Sequence, residues 1–230
     1  MRELGLNFYK SYALQYQLNK PFIDAKIALS KDFYSISKKS KWITNIYSRR
    51  RGQFLRTQYN CLITTSKTVN LDNPRLDCRI DGLEKKSPDI IIIDRNFKLK
   101  KNLKLRDKPN KRKIIIITKD IYREKINLKK NKNFKYIFLK NISSKKDFEN
   151  IFNILKKKGY NRIFVESGLK FLNFMIINKF INNIFIFQSQ KKLRRNGMNN
   201  SNINIIKKLS NKKKLLKLNL FSDNLFKVKI

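Results

Sequence analysis

The run Val165-Glu166-Ser167-Gly168-Leu169 sets a carboxylate, a hydroxyl and a glycine where an apolar strand pattern gives way to an apolar helix pattern. A helix that opens there turns the N–H groups of its first turn toward an anion. Gly168 lets a ligand approach the backbone closely. Glu166, at a strand end, is placed for proton handling. A second run, 68–79, carries Thr68, Asp72, Arg75, Asp77 and Arg79. It follows a strand pattern, where ligand loops of α/β sheets tend to lie. Arg75 and Arg79 suit the forked grip that guanidiniums give to phosphate, while Asn73-Pro74 is equally an ordinary turn signal. The third run, Ser40-Lys41-Trp42-Ile43-Thr44, places the only tryptophan beside two hydroxyls. It suits the wall of a ring-binding cleft, and also a core tryptophan followed by a helix N-cap at Thr44. Arg49 and Arg56 stand seven residues apart in a helical stretch and share a face. That pair reads as an anion contact or as a solvated stripe.

Absences narrow the chemistry further. The chain has no histidine, which removes Ser–His catalysis, most zinc sites and the His/Cys/Cys deaminase arrangement. Acid–base work falls to Asp, Glu, Lys, Tyr or Cys, and no metal is expected. The two cysteines, Cys61 and Cys78, read as reduced thiols. The net charge is +39, which leaves nucleic acid, an anionic membrane surface and phosphorylated small molecules open as partners. The lysines are spread through the whole length among Asn and Ile, as solvated faces would be. No apolar run approaches the roughly 20 residues of a membrane span, and no apolar signal core follows Met1-Arg2-Glu3-Leu4-Gly5. A cytoplasmic protein is expected.

The elements that must position these residues alternate. Strands are expected at 22–29, 61–65, 90–94, 113–118, 134–139, 162–166, 183–189, 215–220 and 224–230. Helices are expected at 45–59 with Phe54 and Leu55 inward, at 144–158 with Ser144 as N-cap and Gly159 as terminator, and at 169–180. The basic stretch 96–113 reads as an exposed connection. Strands alternating with helices imply an α/β sheet with buried central strands. The strand-rich C-terminus implies antiparallel strands at one edge.

Taken together in order and spacing, the segments resemble the reductase domain of the bifunctional riboflavin-biosynthesis deaminase–reductase. The resemblance rests on Lys20-Pro21-Phe22, Lys26-Ile27-Ala28-Leu29-Ser30-Lys31-Asp32, Ser40-Lys41-Trp42-Ile43-Thr44, Arg56, Thr68-Val69, Asp72-Asn73-Pro74-Arg75-Leu76, Arg79 and Val165-Glu166-Ser167-Gly168. It covers about residues 18–230. It implies a dihydrofolate reductase-like α/β fold, with a central, mostly parallel sheet flanked by helices and antiparallel strands at the C-terminal edge. It implies an NADPH-dependent 5-amino-6-(5-phosphoribosylamino)uracil reductase, with hydride delivered to the sugar carbon bearing the amine.

By matching position, the resemblance gives Ser40, Arg56, Leu76, Arg79 and Glu166 to the phosphorylated pyrimidine substrate. It gives Ala28, Trp42, Thr68, Asp72, Gly168 and Leu169 to NADPH. Lys26, Asp72 and Glu166 become the expected catalytic groups. Residues 1–19 would be a leader or linker remnant and 20–230 the reductase domain, with the zinc deaminase domain lacking. A separate deaminase and a homodimer are the implied partners. The chain departs from the family at four places. Phe33 stands where Leu-Asp-Gly usually ends, and Ser167 replaces the first of two glycines. Gln190–Gly197 lacks a late glycine pair, and Arg95 replaces a frequent hydroxyl. A basic nucleic-acid-binding protein and a decayed, non-catalytic reductase domain are the rival readings.

Overall fold

The computed structural model describes residues 9, 12–13, 20–106, 112–126, 134–200 and 213–230. The expected 1–19 segment therefore lies almost wholly outside the described residues. The strands are β1 (Phe22–Leu29), β2 (Tyr34–Ser37), β3 (Cys61–Thr65), β4 (Asp89–Ile93), β5 (Ile114–Lys119), β6 (Lys135–Leu139), β7 (Arg162–Glu166), β8 (Asn183–Gln188), β9 (Gly197–Asn200), β10 (Lys214–Leu216) and β11 (Asn224–Lys229). The α-helices are α1 (Ile46–Arg56), α2 (Ser66–Asp72), α3 (Lys145–Lys157) and α4 (Leu169–Ile177). The chain falls into two compact units. One joins Arg56–Phe164 to the residues up to Phe22, and the other joins Ile23–Leu55 to Val165–Ile230. Strand β7 is divided between them.

In the first unit β3, β4, β5 and β6 run parallel in that order, with Cys61 opposite Asp89, Ile90 opposite Ile114 and Ile115 opposite Lys135. Ile90, Ile91 and Ile92 are fully buried, as β-branched runs are when a parallel strand is covered on both faces. Helix α3 buries Phe148, Ile151, Phe152 and Leu155, the 3–4 spaced face that its sequence presents. The Ser144 hydroxyl accepts from the Asp147 N–H, and the Asp147 carboxylate accepts from the Ser144 N–H. Gly159, at φ +89°, ends the helix, and the Tyr160 N–H reaches the Leu155 carbonyl at 3.1 Å.

In the second unit β1 and β8 are parallel, with Asp24 opposite Asn183 and Leu29 opposite Gln188. Strand β11 pairs antiparallel with β8 and with β10, so the C-terminal strands are antiparallel as expected. The Asn182 side chain accepts from the Ile23 N–H at 2.8 Å, and Asn183 donates to the buried Asp24 carboxylate at 2.8 Å. Strands β2 and β9 form a separate antiparallel ribbon. Both are only four residues long, which hid them from a period-two reading.

Several expectations need correction. Helix α1 starts at Ile46, and its cap is Asn45, whose side-chain oxygen accepts from the Ser48 N–H at 2.9 Å. Thr44 is buried instead, with its carbonyl accepting from Arg49 at 2.7 Å. Leu55 faces inward, but Phe54 is half-buried under the Arg51 guanidinium, and most of the helix's buried positions are Ser48, Gly52 and Gln53. The 96–113 connection is not simply exposed, since Leu103, Leu105 and Arg112 are buried. Helix α4 stops at Ile177 because Lys179 turns left-handed at φ +59°, and the 215–220 strand shrinks to Lys214–Leu216.

Candidate active site

The first unit carries the expected Arg56, Thr68, Asp72, Leu76 and Arg79. The first part of the 68–79 run, read from sequence as loop, lies in helix α2. Thr65 caps it by accepting from the Thr68 N–H at 3.3 Å, and Asn73 closes it at φ +39°. Seven residues are too few for helical periodicity to show. The helix places Thr68 and Asp72 one turn apart on a single face, with the Thr65 and Thr68 hydroxyls 3.1 Å from one another. Val69 is buried on the other side. Asn70 and Asn73 anchor the segment to Lys98, Lys100 and Lys104 backbone groups.

Beyond Asn73 the chain enters a short segment ringed by guanidiniums. Leu76 sits at φ +54° with its side chain buried, so a ligand there meets backbone rather than side chain. Arg56 donates to the Asp77 carbonyl at 2.8 Å. Arg112 donates to the Leu76 carbonyl at 2.7 Å and to the Arg75 carbonyl. Arg79 pairs with the buried Asp77 carboxylate at 3.5 Å and keeps half of its side chain in solvent. Burial lowers the Arg112 pKa, Asp77 opposes that, and the positive Arg56 adds to it. Three guanidiniums stand around Asp77, with Asp89 a second carboxylate acting on Arg112, so the segment keeps a positive excess, the electrostatic setting a phosphate needs. Arg112 was invisible to the sequence reading. Its only signal is that it is one of two arginines, with Arg106, in the lysine-rich 96–113 stretch.

The second unit carries the expected Lys26, Ala28, Ser40, Trp42, Glu166, Gly168 and Leu169. Lys26 and Ala28 lie on one half-exposed face of β1, with Lys26 Nζ 5.7 Å from the Phe187 ring centre. Trp42 is 54% exposed, so it is not the core residue that one of the two readings allowed. Arg49 lies 4.8 Å and Lys41 5.4 Å from its ring centre. The Ser40 hydroxyl donates to the Trp42 carbonyl at 3.0 Å and accepts from the Trp42 N–H at 3.2 Å, which shapes this turn. Glu166 and Ser167 are half-buried at the end of β7, and Gly168 is the exposed N-terminal cap of α4. Gly168 has no side chain with which to cap that helix, and a Cβ built on it would meet nothing within 4 Å. Leu169 is buried and fixes the first turn.

The lost glycines have different consequences. Phe33, where the resemblance implies glycine, adopts φ +67°, the backbone that glycine would supply. The turn survives because the Ser30 N–H bonds the Tyr34 carbonyl and the Ser30 hydroxyl bonds the Asp32 carboxylate at 2.6 Å. Asp32 also accepts from the Leu193 and Arg194 N–H groups, tying the 190–197 loop to the same turn. Burial would raise the Asp32 pKa, but the Ser30 hydroxyl and these N–H groups together hold it below its ordinary value. Ser167 has no positive φ, so nothing in its backbone calls for glycine.

A mostly parallel α/β architecture, with an arginine-ringed loop after one helix and a glycine at the mouth of another helix, defines a protein suited to anionic small molecules. Residues 21–191 match the RibD C-terminal domain, and the chain belongs to that family. It is 29% identical over 192 residues to the riboflavin biosynthesis protein RibD of Aquifex aeolicus (strain VF5), covering 83% of this chain and 51% of that protein. It is 30% identical over 165 residues to 5-amino-6-(5-phosphoribosylamino)uracil reductase of Buchnera aphidicola subsp. Acyrthosiphon pisum, covering 67% of this chain and 77% of the relative. The chain spans about half the length of the RibD proteins it matches. Among solved structures, a deaminase/5-amino-6-(5-phosphoribosylamino)uracil reductase from Thermotoga maritima overlays with a TM-score of 0.72 at 20% identity, covering 96% of this chain and 59% of that one. The fold is the α/β arrangement expected from the sequence, a mostly parallel sheet with helices and antiparallel C-terminal strands.

Proposed function

We propose that this chain reduces 5-amino-6-(5-phosphoribosylamino)uracil to the ribitylamino compound of riboflavin biosynthesis, with NADPH as reductant. The observation that carries the reading is the loop around Leu76, where Arg56, Arg79 and Arg112 gather inside the span that matches the family. A phosphorylated sugar is the small ligand such a loop suits.

The cofactor side fits a dinucleotide. Trp42 offers an exposed aromatic face with cations beside it, and Gly168 leaves open space at a helix N-terminus. Ala28, Trp42, Thr68, Asp72, Gly168 and Leu169 would hold NADPH, whose nicotinamide supplies the hydride for the sugar carbon bearing the amine. The rest of the work is the protein's. Arg56 and Arg79 hold the phosphate, Ser40, Glu166 and the Leu76 backbone orient the substrate, and Lys26 and Asp72 serve the proton transfers at the sugar. A deaminase reaction would supply the substrate. A homodimer in the cytoplasm is the form this reading expects. Among the described residues, no helix is long and apolar enough to cross a membrane.

The test is direct. Pure protein is mixed with the phosphoribosylamino-pyrimidine and NADPH, and the fall in reduced-nicotinamide absorbance is followed while the product is weighed by mass spectrometry. Turnover is expected, and Glu166→Gln and Lys26→Ala should each lose most of it. No turnover at saturating NADPH and substrate would sink the reading.

A further inference from the structure

Arg112 is 7% exposed, and the hydrogen bonds of its guanidinium described above go to main-chain carbonyls rather than to a carboxylate. A buried cation is costly to desolvate and persists where it holds something in place. What it holds is an unusual backbone. Leu76 is left-handed, a conformation leucine avoids. That turn points the Arg75 and Leu76 carbonyls at one planar fork. The next carbonyl, that of Asp77, is taken by Arg56, and the Asp77 carboxylate pairs with Arg79. From Arg75 to Asp77, every carbonyl ends on a guanidinium.

We infer that Arg112 is a positioning residue for the substrate loop, fixing the left-handed turn at Leu76 so that Arg79, and Arg56 anchored on the Asp77 carbonyl, stand where a phosphate can be gripped. The inference rests on the proposed function for the identity of the ligand, and on geometry alone for the loop. Lysine cannot replace Arg112, because a point charge on a flexible stem does not hold two carbonyls in one plane. Without the fork, Leu76 relaxes to negative φ, the peptide before it flips, and the Arg79 side chain leaves its place beside Asp77.

The experiment compares the full-length wild type with Arg112→Lys, which keeps the charge, and Arg112→Met, which keeps much of the volume. In Arg112→Lys the KM for the phosphorylated substrate should rise about tenfold or more, with kcat within about threefold of wild type. Quenching of Trp42 fluorescence by NADPH should keep its midpoint. Hydrogen exchange should quicken at the amides of residues 75–79 and stay unchanged in β3–β6. A wild-type KM and wild-type exchange in a folded Arg112→Lys overturn the inference. So does a loss of kcat, cofactor binding and thermal stability together, which marks a general failure of the fold. If the wild type itself has no turnover, the proposed function fails, and the exchange measurement alone decides whether Arg112 holds the loop.

Discussion

At Gly197 the backbone needs no glycine, since its φ is −85°. The neighbouring ring does. A Cβ built there would stand 2.2 Å from Tyr34 Cγ, far inside contact distance. Gly197→Ala should therefore push the Tyr34 ring off its seat on the β2–β9 ribbon and cost roughly 1–3 kcal/mol in urea unfolding. The cost should mostly vanish when Tyr34→Ala is made in the same chain, a coupling read by a double-mutant cycle. An equal cost in both backgrounds would show that the ring is not the cause. Such a contact is not legible in sequence, where Gly197 reads as a loop residue. The same holds for Arg112 and Trp42. Residue type and spacing located Arg56, Arg79 and Trp42 as candidates, but whether a guanidinium holds backbone or faces solvent depends on neighbours distant in the chain. Phe33 bears on the decayed-domain reading at this same scale. The glycine is gone, yet the left-handed turn it would have made is still there.

Helix α3 is where sequence and structure agree most closely, because its determinants are local. A Ser-x-x-Asp cap, a 3–4 spaced apolar face and a terminal glycine all lie within sixteen residues. Ser144→Ala should cost about 1 kcal/mol. The Asp147 carboxyl is held below its ordinary range, chiefly by the Ser144 N–H and then by the Ser143 N–H. A carboxylate depressed in the folded state adds stability above its unfolded pKa and loses it as pH falls through the folded value. Asp147→Asn should thus be less stable than wild type at neutral pH, and the gap should close in acid, as followed by urea midpoints across the titration. A gap that stays constant down to the lowest pH would remove the carboxylate from the account. Helix α1 is the contrasting case. Its N-terminus is fixed from far away, by Asp223 accepting from the Asn45 N–H at 2.8 Å and the Ser48 hydroxyl at 2.7 Å. Asp223 is buried and lies 178 residues from Asn45, so the local Asn45–Ser48 cap bond is joined by a contact that sequence proximity does not show. Asp223→Ala leaves two donors unsatisfied. It should lower stability by roughly 1–3 kcal/mol and shift the emission of Trp42, which sits in the turn just before that helix.

For the whole molecule the decisive quantity is the charge of +39, which is large enough to bind polyanions without any built site. A reductase and a nonspecific nucleic-acid binder differ in how salt acts on them. Polynucleotide binding that depends on many phosphate contacts should weaken by about a thousandfold or more between roughly 50 and 200 mM salt. A dinucleotide held by a few contacts in a structured site loses far less, because few counterions are released. NADPH at about a hundred times its Kd should stabilise the native state by about 2.7 kcal/mol. In a chain of 230 residues that corresponds to a rise in Tm of roughly 5–10 °C. The rise should persist through the salt range that abolishes RNA binding. Salt alone should raise the Tm of the free protein modestly, by screening repulsion among its lysines over a Debye length that shrinks toward 8 Å. If NADPH gives no shift beyond that salt effect while RNA binds tightly at low salt and its affinity falls steeply toward 200 mM, the charge is the function and the reductase reading fails. If the NADPH shift survives and RNA binding collapses, the lysines are solvated surface, and the selective chemistry belongs to the few arginines that the fold has buried or paired.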